Sequence, residues 1–222
     1  CYRLYLEHKP EDPHAREMLA IGLTLAGRHE EALAEWQWLE THQPNIPDWP
    51  HRVGQTLDEL GRFEEAAEAY GRAMQKPGAE IASWIRHALA SARLGRTETA
   101  DRSLEEAAER FPDHPTPLLV AGMLKCAERK WAEAVAVFER AESRMMGQEE
   151  GRDLFSASPE FHYWFGVALD QVGEYTKSET QLRRAIRMRS DYHEALNHLA
   201  YQWAERGTNL AEAMDLSLGS LE

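Results

Sequence analysis

The sequence repeats itself every 34 residues, and this period restricts the fold more than any other feature. Gly27, Gly61 and Gly95 are 34 positions apart, and an arginine follows each of them. Three further columns keep the same spacing: Ala32, Ala66, Ala100 and Ala134; Trp36, Tyr70, Leu104 and Phe138; Leu39, Ala73, Ala107 and Ala141. A fixed period of this length is typical of repeat architectures, in which each repeat contacts only its neighbours. The chain is therefore predicted to stack repeats and not to fold around one central core.

A frame that opens each repeat at the position of Pro13 accounts for most of the chain. The contiguous repeats are 13–46, 47–80, 81–114 and 115–148, and residues 159–222 hold a fifth repeat, 159–192, and a partial sixth. Residues 149–158 fall outside the period and are predicted to form an inserted loop. Residues 1–12 end as a repeat would, with Pro10 near their end. They are expected to be the second helix of a preceding repeat, so the chain is interpreted as a fragment.

Each repeat is predicted to form two helices joined by a short turn. Proline stands near the start of four first helices, where its missing N–H is not needed, and the repeated glycine suits the left-handed residue that ends a helix. Glutamates open the second helices, where the helix dipole favours them. The eighth residue of every repeat is small: Ala20, Gly54, Ala88, Gly122, Gly166 and Ala200. Because a minimal side chain lets two helices approach closely, the two halves are predicted to pack as tight hairpins.

Charge and hydrophobicity exclude several classes of function. The chain has 25 Lys and Arg against 38 Asp and Glu, so nucleic acid and anionic membrane surfaces would be repelled by a formal net charge of -13. The longest apolar stretch, Leu118 to Leu124, is far shorter than the roughly 18 residues needed to span a bilayer. Cys1 and Cys126 are too few for a disulfide framework, so the compartment stays open between the cytoplasm and a bacterial periplasm.

No sequence motif for catalysis or metal binding is convincing. The segment from His193 to His198 looks at first like a metalloprotease helix, but that chemistry needs histidines four positions apart, and residue 197 is Asn. Glycine-rich phosphate loops, nucleophile elbows and Cys-x-x-Cys pairs do not occur in the sequence. The chain is therefore predicted to have no active site, no metal and no cofactor.

The repeat resembles the tetratricopeptide repeat, a helix-turn-helix unit of the same length. The matching residues are Trp84, the pairs Leu19-Ala20 and Phe165-Gly166, Ala66 and Ala134, Tyr70 and Phe138, and Pro44 and Pro112. The chain departs from the family pattern at Lys125 in the Tyr place, at Arg129 in place of the turn glycine, and at Ser178 in place of an alanine. The resemblance covers almost the whole chain. It implies an all-α fold, an α-solenoid of antiparallel helix hairpins wound into a right-handed superhelix.

The same resemblance implies that the first helices line a concave groove for a protein partner. The inner-facing places of the family give a predicted peptide-binding set: Arg52, Gln55, Arg86, Leu89, Arg93, Leu119, Met123, Tyr163, Trp164, Val167, Asn197 and Tyr201. Those places also hold His51, Asp58, Glu59, Ile85, Val120, Cys126, Asp170 and His198. The predicted wall is thus polar and positive in the second and third repeats and apolar in the fourth and fifth.

Two interpretations of this wall stay open for each half. The three arginines either bind a carboxylate of a partner, for which the guanidinium fork is suited, or pair with acidic residues of the same wall. The acidic candidates are Asp58, Glu59 and Glu17. The apolar residues either form an interface or meet the next repeat or the inserted loop, whose Leu154 and Phe155 would then occupy the groove.

The predicted function is a non-enzymatic scaffold for protein-protein interaction. It would bind a peptide or a helix of a partner in the groove through apolar anchors and at least one carboxylate. The alternative is a segment that regulates, or recruits substrates to, a larger enzyme or an envelope assembly or export machine. Self-association through the first and last hairpins is a third option, since terminal repeats need polar caps.

Overall fold

The computed structural model describes residues 2–146, 158–209 and 212, and the regular structure over these residues is all helical. The chain divides into two compact units, an N-terminal unit of Cys1–Phe111 and a C-terminal unit of Pro112–Glu222. In each unit, helices that follow one another in sequence pack together as antiparallel hairpins. The all-α solenoid class predicted from the repeat is therefore confirmed.

The N-terminal unit is built from hairpins of similar length. Its helices are α1 (Tyr2–His8), α2 (Pro13–Leu25), α3 (His29–His42), α4 (Asp48–Glu59), α5 (Phe63–Met74), α6 (Ile81–Arg93) and α7 (Thr97–Arg110). Helix α2 pairs with α3, α4 with α5, and α6 with α7. Successive hairpins contact each other through α3 against α4 and α5 against α6. The first helices α2, α4 and α6 thereby hold equivalent positions in the stack.

The C-terminal unit repeats this arrangement around two hairpins and a further helix. Its helices are α8 (Thr116–Ala127), α9 (Trp131–Met146), α10 (Pro159–Gln171), α11 (Tyr175–Met188) and α12 (His193–Arg206). Helix α8 pairs with α9 and α10 with α11, while α10 also contacts α8, α9 and α12. Residues 149–157 of the predicted inserted loop lie outside the described residues, so its place relative to the groove stays a prediction.

The turn inside each hairpin has one recurring geometry. Gly27, Gly61 and Gly95 have φ values of 70°, 72° and 72°, in the left-handed region that side chains disfavour. The next residue donates its backbone N–H to a carbonyl five positions earlier, which satisfies an otherwise unpaired group at the helix end. These bonds run from Arg28 to Leu23, from Arg62 to Leu57 and from Arg96 to Ser91, each at 2.9 Å. In the fourth repeat, Arg129 stands where the other repeats have the turn glycine, and its φ is 58°. The turn therefore has the same shape, but the backbone of Arg129 is strained.

The small eighth residue of the repeat brings the two helices of a hairpin close together, as predicted. A Cβ added at Gly54 would lie 2.6 Å from Cε1 of Tyr70, and one added at Gly122 would lie 2.4 Å from Cε1 of Phe138. Both aromatic side chains are fully buried. In each of these hairpins, a large aromatic side chain of the second helix therefore packs directly against a glycine of the first helix.

Two departures from the family pattern have partners in the structure. The Ser178 hydroxyl donates to the carbonyl of Gly166 at 2.8 Å and accepts from Nε2 of Gln202 at 3.0 Å. Lys125 is buried, and its Nζ lies 3.6 Å from Oε2 of Glu133. Each polar side chain thus links neighbouring helices at a place where the family pattern has an apolar or aromatic residue.

Glutamates of the second helices in the N-terminal unit pair with arginines of the next hairpin. Arg72 Nε lies 2.7 Å from Oε1 of Glu40, and Arg96 Nη2 lies 2.6 Å from Oε1 of Glu64. These pairs join α3 to α5, and α5 to the residue that precedes α7. The Arg96–Glu64 pair is about half exposed on both sides, so it contributes at most about 1 kcal/mol. Some glutamates of the second helices are thus paired within the stack.

Candidate functional site

A surface pocket of about 410 Å³ lies on the N-terminal unit, where the first helices α2, α4 and α6 supply nearly all of its lining. The lining residues are Ile21, Thr24, Leu25, Trp36, Arg52, Gln55, Thr56, Glu59 and Arg86. Three members of the predicted binding set, Arg52, Gln55 and Arg86, are therefore brought together in one concavity. This concavity is called the Arg52–Arg86 pocket below.

One side of the Arg52–Arg86 pocket is apolar and open to solvent. The side chains of Ile21 and Leu25 are 37% and 85% exposed. Exposed apolar surface beside charged groups is typical of binding sites. Neither residue belongs to the predicted set, although they occupy the ninth and thirteenth places of their repeat, as Gln55 and Glu59 do in the next one. Applying the inner-facing places to the first repeat as well would have identified them.

The positive charge of the pocket comes from arginine and not from histidine. Arg52 Nη1 donates to Oε1 of Gln55 at 3.1 Å, and no carboxylate of the described part of the chain lies within 4.0 Å of it. His51 is half-buried, with Nδ1 3.0 Å from the Ser83 hydroxyl. Burial and, to a smaller extent, the positive charges of Arg52 and Arg86 lower the pKa of His51 to about 4. The imidazole is therefore neutral at pH 7.

Two of the predicted arginines approach one carboxylate. Nη1 of Arg86 lies 4.0 Å from Oδ2 of Asp58, and Nη1 of Arg93 lies 4.0 Å from Oδ1. The Tyr70 hydroxyl donates to Oδ2 at 2.7 Å. The guanidinium of Arg93 also lies over the Phe63 ring, 4.8 Å from its centroid. The structure thus places these two arginines beside an acidic residue of their own wall, at a distance longer than a hydrogen bond.

Of the other residues predicted for the N-terminal wall, Glu59 lines the pocket, whereas Ile85 and Leu89 do not. Ile85 and Leu89 are half-buried on α6 and do not line the pocket. Glu17, one of the acidic candidates for pairing with arginine, has its Oε2 3.9 Å from Nδ1 of His14. Glu59 is exposed and contributes a carboxylate to the pocket lining.

The C-terminal unit carries the predicted apolar residues on its own first helices. Leu119, Val120 and Met123 are half-buried on α8. Cys126 was predicted to lie on the same wall, but it is only 3% exposed, and burial raises the pKa of its thiol to about 12. That prediction was wrong because the twelfth place of a repeat is covered by neighbouring helices. Asp58, at the same place in the second repeat, has a side chain that is only 10% exposed.

Tyr163 of helix α10 lies against residues at the start of helix α12. The Tyr163 ring lies 5.2 Å from that of Tyr192, 5.3 Å from that of Trp164 and 6.4 Å from that of His198. Burial raises the pKa of Tyr163. Trp164 and Val167 are half-buried. Tyr163 thus meets the next repeat, which was one of the two interpretations of the apolar residues.

Helix α12 presents Asn197 and Tyr201 to solvent, whereas His198 is half-buried. Asn197 is exposed, and Tyr201 is 62% exposed, with its hydroxyl 2.5 Å from Oε1 of Glu205. His198 Nε2 lies 3.2 Å from Oδ2 of Asp170. His198 and Asp170, both predicted for this wall, are therefore in contact with each other.

The residues of the Arg52–Arg86 pocket can bind a ligand through hydrogen bonds, ion pairs and apolar contacts. They supply guanidinium N–H donors, an amide, two hydroxyls and a carboxylate next to aliphatic surface. Within the described ranges, no group of three or more His, Cys, Asp or Glu could hold a metal ion. Over the same ranges, no helix has the length and apolar character needed to cross a membrane.

Comparisons with known proteins agree with this architecture. Family models of the tetratricopeptide repeat match residues 51–75 and 85–148. The curated proteins give no match. These matched ranges contain all of α5, α7, α8 and α9 and parts of α4 and α6.

Solved structures of repeat proteins superpose on most of the chain. The C-terminal part of a TPR repeat-containing protein from Cytophaga hutchinsonii has a TM-score of 0.69 and 16% identity over 90% of this chain and 75% of that chain. PilF of Pseudomonas aeruginosa has a TM-score of 0.69 and 15% identity over 93% and 89%. YrrB, a TPR protein with an unusual peptide-binding site, has a TM-score of 0.60 and 18% identity over 88% and 96%. At these identities the likeness is one of fold.

The hairpins, their recurring turn and these similarities define an α-solenoid repeat protein. Together with the matched ranges, they show that residues 51–75 and 85–148 consist of tetratricopeptide repeats.

Proposed function

We propose that this chain is a non-enzymatic protein-interaction scaffold that binds a segment of a partner protein at the Arg52–Arg86 pocket. The tetratricopeptide-repeat fold is typical of such scaffolds, and the structural neighbour YrrB has a peptide-binding site. The observation that carries the proposal is the pocket itself. Exposed guanidinium groups and the 85% exposed side chain of Leu25 share one concavity of about 410 Å³.

The chemistry of the pocket selects a segment with one carboxylate next to an aliphatic side chain. Arg52 and Arg86 present planar donor forks that match a carboxylate. Ile21 and Leu25 would be covered by an aliphatic side chain, which removes their apolar surface from water. Gln55 adds an amide that can pair with the peptide backbone. A hydrogen bond between charged groups contributes about 1.5–3 kcal/mol.

The predicted residues of the C-terminal unit are proposed as a separate contact surface for a partner. Leu119, Met123, Trp164 and Val167 supply half-buried apolar surface, and Asn197 and Tyr201 supply exposed polar and aromatic groups. Aromatic side chains in such positions contribute strongly to binding when a partner covers them.

An array of short synthetic peptides tests the pocket. One position of each peptide is Asp, Asn or Lys, and the next position is Leu or Ser. The chain is expected to bind the Asp-Leu peptides best, because only these offer both the carboxylate and the aliphatic side chain. Equal binding of the Asp and Asn peptides would contradict the proposed role of the arginines.

Arginine variants test whether the peptide binds at the Arg52–Arg86 pocket. Arg52→Gln is expected to lower the affinity for an Asp-Leu peptide by about tenfold or more, because it removes a charged hydrogen-bond donor. Arg102→Gln is the matched control, since it removes the same charge from an exposed residue of α7 outside the pocket. An equal loss in both variants would mean that the pocket is not the binding site.

A further inference from the structure

Asp58 is a buried carboxylate next to the Arg52–Arg86 pocket. Its side chain is only 10% exposed, and it lies in the last turn of α4. Oδ2 accepts the hydrogen bond from Tyr70, whereas Oδ1 has no hydrogen-bond partner in the described part of the chain. Burying an ionised carboxylate is unfavourable unless neighbouring groups compensate its charge. Arg86 and Arg93 are the groups that do so.

The arginines compensate this charge without hydrogen bonding to it. Each lies 4.0 Å from a carboxylate oxygen of Asp58, which is longer than a hydrogen bond. Their side chains are 49% and 57% exposed. Asp58 therefore offsets positive charge at the site but leaves the guanidinium N–H donors to a ligand.

The formal charges around the pocket leave a small positive excess. Among the groups that line the pocket or approach the Asp58 carboxylate, Arg52, Arg86 and Arg93 are positive, and Asp58 and Glu59 are negative. His51 is neutral, so three positive and two negative charges sum to +1. A carboxylate monoanion would neutralise this site. A phosphate dianion would leave an unbalanced negative charge close to a buried carboxylate.

We propose that Asp58 makes the Arg52–Arg86 pocket selective for a carboxylate over a phosphate. The recognised group is then an aspartate, a glutamate or a C-terminal carboxylate and not a phosphorylated residue. The inference rests on the proposed function of the pocket. The selectivity arises because water and salt screen a buried charge much less than an exposed one. Asp58 repels the second charge of a phosphate, whereas the exposed carboxylate of Glu59 does so only weakly.

Three small peptides distinguish the anions. The probes are N-acetyl-Asp-Leu amide, N-acetyl-phosphoserine-Leu amide and N-acetyl-Ser-Leu with a free C-terminal carboxylate. Each is titrated into the chain by NMR at about pH 8, where a phosphate with a second pKa of about 6 is a dianion. The chain is expected to bind the aspartyl peptide more tightly than the phosphoseryl peptide. The third probe shows whether a terminal carboxylate binds as a side-chain carboxylate does.

Substitutions that change the charge in opposite directions test the role of Asp58. Asp58→Asn is expected to shift the ratio of the two Kd values about tenfold in favour of the phosphoseryl peptide. Arg86→Gln removes a positive charge, so it is expected to shift the ratio the other way. Glu59→Gln is the matched control, with a much smaller shift because Glu59 is exposed.

The outcomes separate this inference from the proposed function. If both peptides bind and their Kd ratio is the same in the wild type and the variants, the proposed selectivity is wrong. The proposed binding site at the Arg52–Arg86 pocket is then unaffected. The selectivity is also wrong if Glu59→Gln shifts the ratio as much as Asp58→Asn. If none of the three probes binds in a manner that depends on Arg52, both proposals fail. Should Asp58→Asn not fold by circular dichroism, Arg86→Gln decides the question, because its side chain is half-exposed.

Discussion

Replacing Gly54 with alanine is expected to destabilise the α4–α5 hairpin, although alanine is the better helix former. The new Cβ would lie 2.6 Å from Cε1 of Tyr70. Carbon atoms in contact are about 3.5–4.0 Å apart, so the ring or the helix must move by about 1 Å. Tyr70 resists this movement because it is fully buried, its hydroxyl is bonded to Asp58, and its ring lies 5.5 Å from that of His51.

Gly71 in the second helix of the same hairpin provides the matched comparison. A Cβ added there meets only the His87 ring at 3.9 Å, which is an ordinary contact. Both glycines lie inside helices, so each substitution gains about 1 kcal/mol of helix propensity. Overpacking costs about 1–3 kcal/mol and applies only at Gly54. Gly71→Ala should therefore stabilise the chain by about 1 kcal/mol, while Gly54→Ala should range from neutral to about 2 kcal/mol destabilising.

Thermal unfolding followed by circular dichroism measures this difference between Gly54→Ala and Gly71→Ala. For a chain of this size, 1 kcal/mol corresponds to roughly 2–4 °C, so the two melting temperatures should differ by about 2–12 °C. Because repeat arrays can unfold in parts, hydrogen exchange of the α4 and α5 amides locates the effect. A Gly54→Ala variant that melts as high as Gly71→Ala would refute the argument from close packing.

Three further predictions concern strain, pH and the C-terminal surface. Arg129→Gly should raise the melting temperature, because glycine adopts a φ of 58° without the roughly 1 kcal/mol that a side chain costs there; an unchanged value would contradict this. Stability should fall as the pH drops from 6.5 towards 4, because the folded-state pKa of His51, about 4, is below its ordinary value of 6.5 and the unfolded chain binds the proton first. Urea unfolding of His51→Gln over this range should show a shallower pH dependence, and an identical slope would exclude His51 as the cause. Trp164→Ala should weaken the binding of a peptide selected on the wild-type chain by about tenfold or more if the C-terminal contact surface touches the partner. An unchanged affinity would mean that Trp164 contributes to packing and not to binding.

The hairpins and turns could be predicted because their determinants lie within one repeat. Gly27 and Gly61 adopt the left-handed φ that their period indicated. Gly54 and Gly122 stand where two helices approach most closely. Each of these features depends on a few residues near in sequence, so the repeating pattern of small, large and turn residues carries the information.

The candidate site could be predicted only in part. The inner-facing places of the repeat identified Arg52 and Arg86, which share a pocket. The same places included Cys126, which is buried, and the predicted set omitted Leu25, which is exposed. A repeat position indicates which side of its own helix a residue occupies. Its exposure depends in addition on how far the neighbouring hairpin covers that side.

The helices, their turns and the close packing of each hairpin follow from the sequence, because backbone capping and steric fit act over short distances along the chain. The electrostatics of the site follow instead from how the hairpins pack. Asp58 meets Arg86 and Arg93 from the next hairpin and Tyr70 from its own, and these distances depend on how the hairpins stack. A charge interacts with every group that packing brings near it, so the effective charge of the pocket is a property of the assembled repeats and not of any one of them.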